Sequence, residues 1–331
     1  MEDLWREHAS IIETVGSLCE EVRSVVRPLM GSVAAKGLEG HGASGDTTFT
    51  IDEVAEQKVA QLLEPRRDIA YYTEDRGLVD RGGAKYLLII DPIDGTRPAA
   101  AGLESCCVSV AAAPISGKSA HDLTLGDVFL GVVSEIKNNA IFTALRGGGA
   151  RIQVERSPFE PRLSTKNSLN QIFWTAGYRG RPAEPLTTVL GELIDLSSVD
   201  GGYFDLGSAT FSITRVVKGE MDAYVDVGQR MVEEVEEVRR TFLEIGHGAI
   251  LNNYPYDLAA AALIAQEAGA VVSDAYGRPL DDYPLVPSTG EGQMSSLVSG
   301  NEPLHTALLV KINSGMARLA KRYGNRRHSP P

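Results

Sequence analysis

Between residues 3 and 30, apolar positions recur at intervals of three and four. Ile11, Ile12, Val15, Leu18, Cys19, Val22, Val26 and Leu29 share one face, which predicts a helix. Residues 31–45 lose the pattern to Gly, Ala and Ser and read as a mobile loop. A second helix begins near Ile51. Thr50 and Glu53 have capping-box spacing, Val54, Ala55, Val59, Leu62 and Leu63 give one apolar face, and Pro65 marks the end. Ile69–Tyr72 reads as a short strand. The run from Lys85 to Ile90 reads as a strand buried on both faces.

The next pattern is hairpin-rich and mostly antiparallel. Ser105–Ala113, Val128–Ile136, Ala140–Leu145 and Arg151–Glu155 predict successive strands, with turns at Asn138-Asn139 and Gly147-Gly148-Gly149. From residue 170 strands and helices alternate. Ile172–Thr175, Tyr203–Leu206 and Met221–Val227 predict strands, and Pro185–Leu196 and Ser208–Val217 predict helices. Val232, Val235, Val238 and Phe242 form an apolar stripe in a charged segment, which predicts a partly exposed helix. Asp257–Ala268 predicts an alanine-rich apolar helix, and Ala270–Ser273 and Leu297–Ser299 predict strands. A last helix spans Asn301–Tyr323, with Asn301 as its N-cap.

Composition narrows the classes. The 331 residues are 43% hydrophobic and 23% charged, the balance of a soluble globular protein. A net charge of −12 argues against a nucleic-acid surface. It also opposes a phosphorylated substrate, so cations at the site must supply the local attraction. No apolar run approaches the ~20 residues that cross a bilayer. The N-terminus has mixed charge and no apolar core, so it does not read as a secretory signal. Cys19, Cys106 and Cys107 form neither a disulfide framework nor a metal-ligand spacing, which predicts core thiols in a reducing cytoplasm.

The chemistry-bearing stretch is Asp91-Pro92-Ile93-Asp94-Gly95-Thr96, at the end of the doubly buried strand. Pro92 restricts the turn between the two carboxylates, and Gly95 permits close backbone approach. Hard oxygen ligands beside the Gly95 and Thr96 N–H groups suit a site where Mg²⁺ meets phosphate. Thr73-Glu74-Asp75 ends the preceding strand with further acid. Asp257 opens the alanine-rich helix, a position that the helix dipole alone favours. Gly117-Lys118-Ser119 resembles the end of a phosphate-binding loop but lacks the first glycine and a following helix, so it reads as a surface turn.

In order, Glu74, Asp91-Pro92-Ile93-Asp94-Gly95-Thr96, Gly207-Ser208-Ala209, Asp257-Leu258-Ala259-Ala260 and Glu267-Ala268-Gly269-Ala270 resemble the inositol monophosphatase family. This family comprises Mg²⁺-dependent, lithium-sensitive sugar phosphatases. Its archaeal members act on both inositol monophosphate and fructose 1,6-bisphosphate. Gly42–Asp46 and Ile51-Asp52 also resemble the loop and following helix of that archaeal branch. The resemblance runs from about residue 10 to residue 315.

It implies a layered αβαβα sandwich, with an α+β half over 1–165, an α/β half over 166–331, and the site in the cleft between them. Glu74, Asp91 and the Ile93 carbonyl would hold one Mg²⁺, and Asp91, Asp94 and Asp257 a second. Asp94, Gly95 and Thr96 would bind phosphate, and Thr96 with Glu74 would orient the attacking water. Asp46 would pair with Thr96 or help to hold a third ion. A water nucleophile displacing in line fits the absence of a nucleophile motif. The resemblance also implies a homodimer, a small phosphorylated substrate, and neither nucleic-acid nor membrane partners.

Three departures stand out. Tyr256 replaces the family's usual Trp, Asp75 replaces a second Glu, and residues 228–253 are longer than usual where substrate contacts are expected. Arg179, Arg230 and Asn252 are candidate contacts. Two rival readings remain at this stage: a nucleotide 3′-phosphatase of the same fold, and a catalytically silent homologue acting as a binding protein.

Overall fold

A computed structural model describes residues 2–42, 45, 47–287 and 292–324. The predicted first helix is divided at His8 into α1 (Glu2–Glu7) and α2 (Ala9–Val26). Residues 31–45 are not wholly loop: β1 (Leu38–His41) pairs antiparallel with β2 (Thr47–Phe49). Helix α3 (Thr50–Leu63) starts one residue before the expected position, and its cap differs from the predicted one. The Asp52 carboxylate accepts the Phe49 N–H at 2.9 Å, while the Thr50 hydroxyl donates to Glu39 at 2.7 Å.

Strands β3 (Ile69–Thr73), β4 (Gly77–Val79) and β5 (Tyr86–Asp94) follow, and β5 continues through the acidic motif that sequence placed at a turn. After the short helix α4 (Thr96–Ala101) come β6 (Cys107–Pro114), β7 (Leu130–Glu135), β8 (Ala140–Leu145), β9 (Gly149–Val154) and β10 (Ser157–Phe159). They form an eight-stranded sheet in the order β10-β9-β8-β7-β6-β5-β3-β4. The β3–β5 pair is parallel and the other pairs are antiparallel. Thr73 therefore lies beside Ile90, and the acidic ends of β3 and β5 emerge together.

The second half adds β11 (Phe173–Ala176), α5 (Ala183–Leu196), β12 (Gly202–Phe204), α6 (Ala209–Val217) and β13 (Ala223–Asp226). Then come α7 (Gly228–Glu234), α8 (Glu236–Ile245), α9 (Pro255–Glu267), β14 (Val271–Ser273), β15 (Ser296–Ser299) and α10 (Glu302–Gly324). Its five-stranded sheet runs β12-β11-β13-β15-β14. The single helix expected across 232–242 is two helices, broken where Val235 adopts an extended φ of −133°. The break lets Val232, Val235, Val238 and Phe242 all enter the core, while Glu236, Arg239 and Arg240 stay exposed, the partly exposed character that the stripe predicts.

Apolar alternation along β5 explains the layering. Leu88, Ile90 and Ile93 pack against α2 and α3, while Leu87 and Ile89 face α6 and α9. Helices α6 and α9 fill the space between the two sheets. The far side of the second sheet is covered by α5, α7, α8 and α10. The architecture is thus an αβαβα sandwich. Asn301 caps α10 as expected, accepting the Leu304 N–H at 3.0 Å. The three cysteines are buried free thiols. Among the described residues no helix is long and apolar enough to cross a membrane.

Candidate metal centre

Asp91 and Asp94 lie at the carboxyl end of β5, and Asp257 lies in the first turn of α9. One oxygen from each of the three falls within 4.8 Å of the others. Asp91 and Asp94 are buried, and Asp257 is half-buried. Residues separated by more than 160 positions are thus held together by the packing of α9 across the first sheet.

Their electrostatics match an incomplete ion cluster. Burial pushes the Asp91 carboxyl well above its ordinary range, and the charges of Asp94, Asp257 and Glu74 push it further. Asp257 is pushed up to about 8, first by burial and then by Asp94, against the opposing pull of the Tyr254 N–H. That N–H donates to Asp257 at 2.7 Å. Asp94 is also raised by burial, offset by hydrogen bonds from Thr210 and Ser208 and by the charge of Arg179. The Thr210 N–H reaches Asp94 at 2.5 Å, aiming the first turn of α6 at the cluster.

Glu74 stands just outside this group of three. It shares a recess with Asp257, Tyr256, Arg179 and residues 251–254, and its charge acts on Asp91. The Ile93 carbonyl oxygen lies 3.2 Å from the Thr96 hydroxyl oxygen. Gly95 has φ 95°, and a Cβ there would lie 2.4 Å from the Ser105 carbonyl oxygen, so the motif requires glycine. Tyr256, in the place of the usual Trp, is buried and stacked on Tyr254 with centroids 5.4 Å apart. Asp46 lies outside the described residues.

Thr96 has a partner that sequence reasoning missed. Its Oγ1 donates to Asp52 Oδ1 at 2.8 Å. The Ile51-Asp52 pair carries the signal, and the capping-box spacing that points to Glu53 is off by one residue. Of the candidate contacts, Arg179 borders the cleft beside Asp94, Asp205, Ser208 and Asp257. Asn252 borders the Glu74 recess. Arg230 does not reach the cleft. It is buried, donates to the Ala275 carbonyl and to Asn313 at 2.7 Å each, and stacks on Tyr276.

Behind Glu74, the buried Glu56 accepts the Thr73 hydroxyl at 3.0 Å and sits 3.3 Å from Arg76. Burial raises it from 4.5 to about 7, with the Asp75 charge adding to the rise and Thr73 opposing it. An acid raised on folding stabilises fully below its unfolded value, and that stability is lost as pH rises through the folded value. Glu56→Gln keeps an acceptor for Thr73. It is expected to raise the melting temperature at pH 8 and not at pH 4, by at most about 3 kcal/mol in stability. Equal melting curves at both pH values would contradict this.

The sequence pattern of the inositol monophosphatase family matches residues 9–314. The bifunctional NADP phosphatase/NAD kinase of Methanocaldococcus jannaschii is 25% identical over 311 residues. That match covers 88% of this chain but 48% of the relative, so this chain spans about half of its length. The fructose-1,6-bisphosphatase/inositol-1-monophosphatase of Methanothermobacter thermautotrophicus is 26% identical, with 89% of this chain and 94% of that protein covered. The solved IMPase of Thermotoga maritima has the same fold. Its TM-score is 0.66 at 23% identity, covering 94% of this chain and 99% of that one.

Proposed function

We propose that this chain, which belongs to the inositol monophosphatase family, is a Mg²⁺-dependent phosphomonoesterase acting on a small phosphorylated polyol or sugar. The carrying observation is the convergence of Asp91, Asp94 and Asp257 within 4.8 Å. Three hard oxygen donors whose mutual repulsion is relieved by a divalent cation fit Mg²⁺. Asp91, Asp94, Asp257, Glu74 and the Ile93 carbonyl would hold it, as two ions or, with Asp46, three. When bound, Mg²⁺ polarises phosphate oxygens, makes water at the site more acidic and steadies the leaving alkoxide.

The chain's own groups complete the reading. The Thr96 hydroxyl, its proton directed to Asp52, presents a lone pair that orients the attacking water. Gly95 and Thr96 N–H groups, with Asp94, position the phosphate. Arg179 and Arg181 bring positive charge to the acidic cleft. On this reading a division at 165/166 would leave Glu74 and the β5 motif in one half and Asp257 in the other.

The test is phosphate release with Mg²⁺ from inositol 1-phosphate, fructose 1,6-bisphosphate, adenosine 3′,5′-bisphosphate and NADP, repeated with Li⁺. Turnover of the first two, abolished by a chelator, is expected. Turnover of the nucleotides alone would move the assignment to the nucleotide phosphatase reading. No release from any of them would end the proposal.

A further inference from the structure

A large cavity lies away from the carboxylate cleft. It has a volume of about 750 Å³, between α2 and the β8–β10 edge of the first sheet, and its lining includes Arg23, Arg27 and Arg156 with Asn139 and two carboxylates, Glu20 and Glu155. That size is ordinary for a small-molecule site. Strand β9 is four strands from β5, roughly 19 Å at normal strand spacing.

The cavity is built around fixed arginine. Arg23 is 7% exposed. Its Nε donates to the Ile136 carbonyl at 3.1 Å, and its terminal nitrogens donate to Glu20 and to the Asn139 side chain. The Asn139 carbonyl accepts the Glu155 N–H at 2.9 Å, which ties the β9–β10 turn to the same residue. In that two-residue turn Glu155 and Arg156 have φ of 50° and 68°. Such a turn favours Asn and Gly, so the chain carries backbone strain to place a long cationic side chain here.

Arg27 and Arg156 have no hydrogen-bond or ion-pair partner for their guanidinium groups among the described residues. Elsewhere on the surface Arg66, Arg151, Arg318 and Arg322 meet carboxylates, whereas these two converge on one cavity. A cation at the end of α2 is favoured by the helix dipole without any ligand. That accounts for Arg27 but not for Arg156, which arrives from a strand turn. Two unpaired forks around one fixed fork suit the several oxygens of a phosphate group.

We infer that this cavity binds a small phosphate-bearing anion, at a site separate from the carboxylate cleft. The test is calorimetric titration of the metal-free protein with inorganic pyrophosphate, conditions under which the acidic cleft repels anions. Saturable binding is expected, weakened by added salt. The double variant Arg27→Ala/Arg156→Ala is expected to lose about tenfold or more in affinity, with turnover unchanged because neither residue touches the cleft. Asp91→Asn is expected to bind pyrophosphate as the wild type does. Absence of saturable binding, undiminished binding by the double variant, or loss of binding in Asp91→Asn would each overturn the inference.

Discussion

Asp91→Asn is expected to abolish phosphate release while making the metal-free protein more stable at pH 8. The substitution keeps the shape of the side chain, and an Asn oxygen can still accept the Ile93 N–H now bonded at 2.9 Å. It removes one of three crowded carboxylates, and its amide can donate to the two that remain. Activity should fall by about 10⁴ or more if Asp91 is shared between ions, because the loss removes transition-state charge stabilisation. Relief of a buried, like-charged group is worth about 1–3 kcal/mol.

The pH dependence gives the sign. Asp91, Asp94 and Asp257 are all raised on folding, so each contributes stability at low pH that is lost as pH rises through its folded value. For Asp257 that window runs from 3.8 to about 8. The wild type should therefore melt lower in chelator at pH 8 than at pH 5, and Asp91→Asn should flatten that slope. Saturating Mg²⁺ should reverse the order, since a ligand at 100 times its Kd adds about 2.7 kcal/mol to the protein that binds it. A variant that melts lower than wild type in chelator at pH 8 would make Asp91 a structural residue.

The same electrostatics explain what was legible in the sequence. The β5 strand and its acidic end were readable because unbroken apolar character and Asp-Pro/Asp-Gly chemistry are local signals. The meeting of Asp257 with Asp91 and Asp94 was not a local signal. It depends on α9 crossing the sheet, and only the resemblance carried it in advance. The 228–245 segment misled only in its continuity: a stripe at helical spacing does not reveal a break at Val235, although the helices on either side are partly exposed as expected. Arg230 misled for a related reason. A lone arginine near an expected substrate wall reads as a contact, but three acceptors and Tyr276 hold it in the second core.

The resemblance pairs Thr96 with Asp46, which lies outside the described residues, and assigns Asp52 no such role; the observed Thr96–Asp52 bond yields the second large prediction. Asp52 Oδ2 is engaged by the Phe49 N–H at 2.9 Å, leaving Oδ1 for the Thr96 hydroxyl at 2.8 Å. With that proton committed, the Thr96 oxygen can accept from water but cannot donate to it. Thr96→Val should lower kcat by about 10²–10⁴, the range of general acid–base assistance, with KM little changed. Thr96→Ser should keep most of the activity. Asp52→Asn should cost a similar factor, since a turned amide would send the hydroxyl proton to the Ile93 carbonyl instead. Because the two residues act as one unit, the double variant should be no worse than about threefold below the poorer single variant. Costs that multiply across the double variant, or single variants within about threefold of wild type, would detach Thr96 and Asp52 from the proton chemistry and leave their bond a helix-start clasp.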